Sequence, residues 1–415
     1  MMAASGIRVL LDVSPIGSRP EARTGLARVS LDLASALALV PDIKLSTCAW
    51  GSVEASRQFQ RVREEFPRLN GLAVKPGPVE RAFLTASSLS RMHSRMATTV
   101  LHRCGQAINL CRNPLRGHDL TQFDVVHSTY ARIPRIVRRQ RRPAVITVHD
   151  LTPLKLPASL TSRQQVGITS RILRSIVPTD WVVCVSEHTR HDFLEHSSHP
   201  ADRALVIHNG VNHEIFFPVR DRAILARTRS ACGVGEAPFV LTLSSLSPHK
   251  NLALLAEVWP SIRRQCPDAL LVVAGGAAAQ SEEVRAIFAR RGDTSSIRFT
   301  GFVSDETFRA LASTCQAFVF PSLYEGFGLP ILEAMACGAP VICSDATSLP
   351  EVAGSAAALI DPNDASAWEK PVAEKLSAPL RDLPHADSIA RAGEFSWSVC
   401  AWEHARLFAT LARSG

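Results

Sequence analysis

Residues Phe318 to Gly338, FVFPSLYEGFGLPILEAMACG, hold the densest set of groups that could do chemistry: two carboxylates, Glu325 and Glu333, around a Gly-x-Gly turn. The apolar run ending at Pro321 reads as a strand. A helix is expected from near Gly328, with Pro330 in its first turn, where a missing N–H costs nothing, and Gly338 at the C′ position. Such a strand–turn–helix delivers free backbone N–H groups at a helix amino end, a ready seat for phosphate. A phosphate repels carboxylates, so Glu325 and Glu333 are better used as acceptors for sugar and ribose hydroxyls on either side of it. The spacing alone also fits a capped surface helix with a solvated Glu333. The setting between strand, turn and helix is what makes it specific.

Other residue types complete a group-transfer site. Lys250, in SPHKN, could neutralise a departing diphosphate; one fixed donor of this kind contributes roughly 2.7–4 kcal/mol in a transition state, and the helix terminus about 0.3–1 kcal/mol. A solvated turn lysine is the plainer alternative. His149 closes the apolar run AVITVHD at its carboxyl end, where a satisfied histidine is also common. Asp150 reads equally as a cleft acid or a turn cap, and His127, in DVVHS, as a cleft-lining residue. No Asp-x-Asp is present, so a metal-chelated diphosphate is not indicated. No Gly-x-Gly-x-x-Gly follows a strand, against a dinucleotide oxidoreductase. His188, His191, His196 and His199 lack nearby cysteines and are expected on a solvated helix face and loop.

These groups need a scaffold that gathers strand ends. Short, nearly continuous apolar runs recur at Ile7–Val13, Asp124–His127, Ala144–His149, Trp181–Val185 and Ala204–His208. They continue at Phe239–Leu243, Leu270–Ala274, Ile297–Thr300, Ala317–Pro321, Pro340–Ser344 and Ala357–Ile360. Such runs suit parallel strands covered on both faces. Helix-length segments such as Leu26–Leu39 and Leu252–Arg264 lie between them, which predicts an α/β chain. Asn209–Pro218 breaks the alternation. Two doubly wound, Rossmann-like domains are expected, 1–215 and 216–390, with a tail helix in 391–415 crossing back to the first domain. Sheets of this kind bind ligands beyond their carboxyl strand ends, so chemistry is expected in the cleft between the domains.

The segment EGFGLPILEAMACGAPVICSD resembles the donor-site signature of the retaining GT-B-fold glycosyltransferases of family four, the glycosyl transferases group 1. TGLARVSLDLASAL, TVHDLTPLKLP, VCVSEHTR, IHNGVNHEIFFP, LSSLSPHKN, FTGFVSDE and FSWSVCAWE resemble further landmarks, and only about residues 50–120 lack a counterpart. The resemblance implies a catalytic set of Glu325, Lys250 and His149. Glu325 would bond hydroxyls of the donor sugar, Glu333 the ribose, and Lys250 the diphosphate, with the amides of Gly326, Phe327 and Gly328 facing diphosphate or sugar. Gly25 would lie in the first loop near the phosphates, His149 near the reacting carbon, and Val303 would hold the base edge through its backbone. Many members carry Arg five residues before the Lys; here that position is Ser245, and His249 would compensate when protonated.

The resemblance further implies transfer from a nucleotide-diphosphate sugar, with retention and without metal or other cofactor, onto a glycan or lipid-linked glycan of the envelope or exopolysaccharide. In the front-face route proposed for such enzymes the leaving phosphate oxygen takes the acceptor's proton. HDLTPLKLP looks most like bacterial mannosyltransferases, which puts GDP-mannose first and UDP-sugars next. The rivals are a non-catalytic glycan- or nucleotide-binding protein of the same fold and a nucleotide-sugar 2-epimerase.

The 415 residues are 46% hydrophobic and 20% charged, enough for two large cores. Ten unpaired-looking cysteines suit a reducing compartment. No signal peptide or apolar span is expected, and a cytoplasmic location follows, with peripheral attachment to the inner face of the membrane. Residues 1–215 carry 28 Lys+Arg and 17 Asp+Glu (+11), and residues 216–415 carry 18 and 21 (−3). The arginines of 80–118 and of RIPRIVRRQRR at 132–142 therefore read as a solvated surface, as a contact for anionic lipid headgroups or a lipid-diphosphate acceptor, or as a nucleic-acid contact, and no nucleic-acid-binding signature supports the last.

Overall fold

The computed structural model describes residues 6–17, 25–51, 55, 59, 115, 118–156, 160–243, 247–275, 282–292, 294–379 and 384–414. Their strands form two six-stranded sheets, parallel at every pairing. The first holds β1 (Ile7–Asp12), β2 (Ile43–Cys48), β3 (Val125–Ser128), β4 (Ala144–Val148), β5 (Trp181–Cys184) and β6 (Ala204–Val206), in the order β2-β1-β3-β4-β5-β6. The second holds β7 (Phe239–Leu243), β8 (Leu270–Ala274), β9 (Ile297–Gly301), β10 (Ala317–Phe320), β11 (Val341–Ser344) and β12 (Ala357–Ile360), in the order β12-β11-β10-β7-β8-β9. Helices cover both sheets. In the first half they are α1 (Gly25–Leu37), α2 (Arg135–Arg139), α3 (Thr152–Lys155), α4 (Arg163–Leu173) and α5 (Glu187–Glu195). The second half has α6 (Arg222–Ala231), α7 (Leu252–Gln265), α8 (Glu282–Ala289), α9 (Asp305–Thr314), α10 (Leu329–Ala336), α11 (Leu349–Ala353), α12 (Ser366–Ser377) and α13 (Ala386–Gly393), and α14 (Trp397–Ser414) comes last.

The expected strands form because their runs are apolar on both sides. Every residue of β8, LLVVA, is buried, with Leu270 and Val272 in one core and Leu271 and Val273 in another. The edge strand β2, IKLSTC, was not expected; its polar Lys44, Ser46 and Thr47 break the continuous pattern. The tail helix α14 packs on the first sheet. Trp397, Ala401, Ala405 and Phe408 join Val9, Leu11 and Leu33 in one core, while Trp402, part of the same expected periodicity, faces solvent.

The order of the second sheet reverses at the pair β7–β10. Loops leaving neighbouring strands at such a reversal diverge to opposite faces and open a crevice at the carboxyl edge. The loops after β7 and β10 are the ones that carry Lys250 and Glu325. In the first sheet β3 and β4 are neighbours, and His149 directly follows β4.

Helix α10 starts as its residues require. Gly328 caps it in the left-handed region (φ 106°), and Pro330 lies in its first turn. The left-handed backbone is what calls for glycine here, since the nearest atom to a Cβ on Gly328 is the movable end of Leu349, Cδ2 at 2.7 Å. Gly338 takes the C′ position, its N–H bonded to the Met335 carbonyl at 2.8 Å while Ala339 N–H reaches Ala334 at 3.0 Å.

Candidate active site

The turn Pro248–Lys250 follows β7 and is stitched to the β10 loop by the Leu323 N–H, which donates to the His249 carbonyl at 2.7 Å. That bond brings Lys250 Nζ 2.5 Å from Glu325 Oε1, with the ammonium 5.0 Å above the Phe320 ring. The loop is fixed from behind as well. Glu325 N–H donates to Thr347 Oγ1 at 3.0 Å, and Ser348 Oγ donates to the carbonyls of Glu325 and Phe327 at 2.9 and 3.0 Å.

The first domain grips the same loop. Ser186 and Thr189 hydroxyls, at the start of α5, donate to the Gly326 carbonyl at 2.7 and 2.9 Å. A Cβ on Gly326 would lie 1.8 Å from the His149 carbonyl oxygen, a distance no side chain tolerates. Tyr324 donates its hydroxyl to buried Asp192 of α5, which also holds Lys155 of α3 at 2.8 Å. Glu351 of α11 accepts the Glu187 N–H at 2.9 Å and pairs with His208 at 2.6 Å. A carboxylate on the exposed first amides of α5 is favoured by the helix dipole. The strand end bearing His149, the amino end of α5 and the β10 loop are thus one interlocked seam.

Beside the seam lies a cavity of roughly 370 Å³. Lys250, His249, Glu325 and Gly326 line it from the second domain, and His149, Asp150 and Tyr130 from the first. Thr161, Gln165, Ile168, Thr169 and Ile172 form one wall, mostly on α4, which buries none of its own residues. His149 Nε2 lies 2.6 Å from the Thr129 carbonyl and must therefore donate to it. Burial lowers its pKa, so the ring is neutral near pH 7 and Nδ1 is left as an acceptor suited to a sugar hydroxyl. Asp150 caps the turn into α3 by accepting the Thr152 N–H at 3.0 Å, while still facing the cavity.

Several expected residues sit elsewhere or behave otherwise. His127 does not line the cleft: it is fully buried, bonded through Nε2 to Thr147 Oγ1 at 2.8 Å and stacked on His404 of α14 at 5.2 Å. It lies inside β3, where side chains point to the sheet faces, whereas His149 lies one residue past its strand. His249 lines the cavity, but burial and then the Lys250 charge lower its pKa. It is therefore neutral near pH 7 and supplies no second cation. Of the four histidines of 188–199, His191 and His196 are exposed, whereas His188 is only partly so and packs edge-on against Tyr324 at 5.6 Å. The Phe327 side chain turns into the core beside Phe395. Val303 follows β9 on the same carboxyl edge and packs on the second core. Gly25 opens α1, with nothing within 4 Å of its Cβ position. Ser245 and nearly all of 80–118 lie outside the described residues.

Glu333 is buried and does not border the cavity. It receives Arg28 of α1, whose guanidinium also reaches Asp305 of α9. Burial pushes the Glu333 carboxyl up and Arg28 opposes that rise. Arg28, Asp305 and the Tyr324–Asp192–Lys155 chain were not expected; nothing local marks Arg28, three residues after Gly25, as more than a solvated helix residue. The arginines of 132–142 lie mostly at the amino end of β4, away from the cleft. Arg138 is engaged by buried Asp180 at 2.6 Å and Arg142 by the Phe123 carbonyl at 3.3 Å, whereas Arg132, Arg135, Arg139 and Arg141 are exposed.

Among described residues no three His, Cys, Asp or Glu side chains cluster as metal ligands, and no helix is long and apolar enough to cross a membrane.

The family described as glycosyl transferases group 1 matches residues 231–394, and glycosyltransferase family 4 matches residues 94–215. O-antigen chain mannosyltransferase B of Escherichia coli is 30% identical over 259 residues, 62% of this chain and 68% of that protein. The serotype-specific mannosyltransferase WbdA of E. coli is 31% identical over 272 residues, 62% of this chain but 32% of its own length, so the chain spans about a third of that relative. Among solved structures, Anabaena HepE in complex with UDP-glucose matches with a TM-score of 0.64 and 18% identity, covering 97% of this chain and 99% of that one. That likeness shows the GT-B fold.

Proposed function

We propose, on the footing that this chain belongs to the glycosyl transferases group 1 family, that it moves a hexosyl group from a nucleotide-diphosphate sugar onto a cell-envelope or exopolysaccharide glycan. One observation carries the reading: Lys250 and Glu325 meet at the switch point of the second sheet, in a cavity shared with His149 and Asp150.

The donor diphosphate is assigned to the amino end of α10: Pro330 has no N–H and Ile331 N–H already reaches the Gly328 carbonyl at 3.1 Å, which leaves the amides of Gly328 and Leu329 to meet it. Lys250 leaves Glu325 to meet the phosphate charge that grows as the glycosidic bond breaks. Glu325, released, accepts hydroxyls of the donor sugar, and neutral His149 accepts another through Nδ1. With a cation and helix amides already placed for the leaving group, the reading assigns no metal to the step. The acceptor hydroxyl approaches along the wall of Tyr130, Thr161, Gln165, Ile168 and Thr169, whose hydroxyls, amide and apolar faces suit a glycan. By the front-face route the leaving phosphate oxygen takes the acceptor's proton on the face it departs from, which retains the anomeric configuration and calls for no separate general base.

Mannosyltransferase relatives make GDP-mannose the first donor to test, with UDP-sugars second. The exposed arginines of 132–142 support peripheral contact with an anionic membrane, as expected of an enzyme whose acceptor is lipid-linked.

The test is transfer of labelled sugar from a panel of GDP- and UDP-sugars to envelope glycans, with and without chelator, by wild type and Glu325→Ala. Transfer by wild type that survives chelation and collapses in the variant is expected. Equal turnover in both proteins overturns the site, and nucleotide binding without turnover points to a non-catalytic binder.

A further inference from the structure

Arg28 is the most heavily engaged cation that bridges the two domains and that the proposed chemistry leaves without a task. It stands in the first turn of α1 with its guanidinium stacked 5.2 Å over Phe216. One of its nitrogens takes Glu333 Oε1 and another takes Asp305 Oδ1. The three side chains are 22%, 7% and 14% exposed. Among the described residues only Oε1 of Glu333 receives a hydrogen bond.

We infer that Arg28 is a positioning residue for donor binding: reaching from the first domain, it holds Oε1 of Glu333 and turns the carboxyl so that Oε2 receives the ribose hydroxyls. The inference rests on the reading of Glu333 as the ribose acceptor. Two carboxylates this buried and this close would otherwise favour taking up a proton. Burial, with Asp305 and Asp32, one turn along α1, raises Glu333 to about 7 even beside Arg28, and Arg28 is the cation that draws it back towards the charged form. A charged carboxylate binds a hydroxyl about twice as strongly as a neutral acid. Because the relieving charge comes from the other domain, Glu333 is ready for ribose only when α1 lies against α9 and α10. Nucleotide binding is thereby coupled to closure through one side chain that need not touch the ligand.

The experiment measures, by calorimetry, the affinities of GDP and UDP beside their 2′,3′-dideoxy forms, for wild type, Arg28→Met and Arg28→Lys. Wild type is expected to prefer the ribose form at least tenfold. Arg28→Met should lose most of that preference while its affinity for the dideoxy form stays within about threefold of wild type. Arg28→Lys, which keeps the cation but cannot fork, should fall between. A static interdomain pair predicts instead that Arg28→Met weakens both forms equally. That outcome, or a preference undiminished in either variant, overturns the role of Arg28 alone. Should Arg28→Met fail to fold, Arg28→Lys still decides, since wild-type discrimination there means the fork is not needed. Wild-type protein that binds neither nucleotide, or both forms alike, overturns the ribose reading of Glu333 itself.

Discussion

Lys250 Nζ lies 2.5 Å from Glu325 Oε1 across the gap between the β7 and β10 loops. Each satisfies the other, so a donor bound as proposed must part them, exchanging one charge pair for ammonium–phosphate and carboxylate–hydroxyl contacts. Preorganisation of this kind leaves little to rearrange beyond two side chains.

Removing either partner should therefore affect chemistry more than folding. Lys250→Met is expected to lower kcat about 10²- to 10³-fold, as for loss of one fixed donor to a developing oxyanion. Glu325→Gln should lower it less than Glu325→Ala, because the amide oxygen still accepts a hydroxyl. Steady-state rates beside urea melts separate the two effects; variants that lose stability in step with activity would count against the assignment.

Gly326 should be intolerant for a purely steric reason. Its Cβ would collide with the His149 carbonyl at 1.8 Å, so Gly326→Ala is expected to hold the β10 loop off the first domain and reduce kcat/KM more than tenfold. Gly393→Ala, where nothing lies within 4 Å, is the control and should leave activity unchanged. Matching kinetics in the two variants would argue that the seam does not matter to turnover.

How much of the site is legible in the sequence depends on locality. Lys250, Glu325, Gly326, His149 and Asp150 can be gathered from it because each closely follows a strand whose continuous apolar run is readable, and strand ends converge in a parallel sheet. His127 misleads because one residue of register separates the inside of β3 from its end. β2 escapes notice because an edge strand needs no apolar continuity. Arg28 with Asp305, and Tyr324 with Asp192, are pairings between residues 277 and 132 positions apart. No local pattern encodes those.

Acid should loosen the tail helix. Burial lowers His404 to about 4 from its ordinary 6.5. Below pH 6.5 the unfolded chain binds a proton that the native state refuses until about pH 4, so stability falls as pH drops through that window. The loss is about 2 kcal/mol by pH 5. Asp12, raised to about 6, works in the opposite sense between pH 3.8 and 6, so the whole-protein curve is not diagnostic. The difference between wild type and His404→Phe is: denaturant melts at pH 7 and pH 5 should show the variant losing less, and parallel losses would refute the assignment.

The exposed arginines should matter for membranes and not for the fold. Arg135→Glu, Arg139→Glu and Arg141→Glu together are expected to reduce cosedimentation with phosphatidylglycerol vesicles, at about 1 kcal/mol per charge near the surface. Arg138 is left intact because buried Asp180 depends on it. Unchanged sedimentation would remove this surface from the account.

The most direct measurement is a crystal structure with a nucleoside diphosphate bound. Its phosphate oxygens should lie about 3 Å from Lys250 Nζ and from the first amides of α10, with the Lys250–Glu325 pair parted. A diphosphate seated elsewhere, over an undisturbed Lys250–Glu325 pair, would contradict the account at its root.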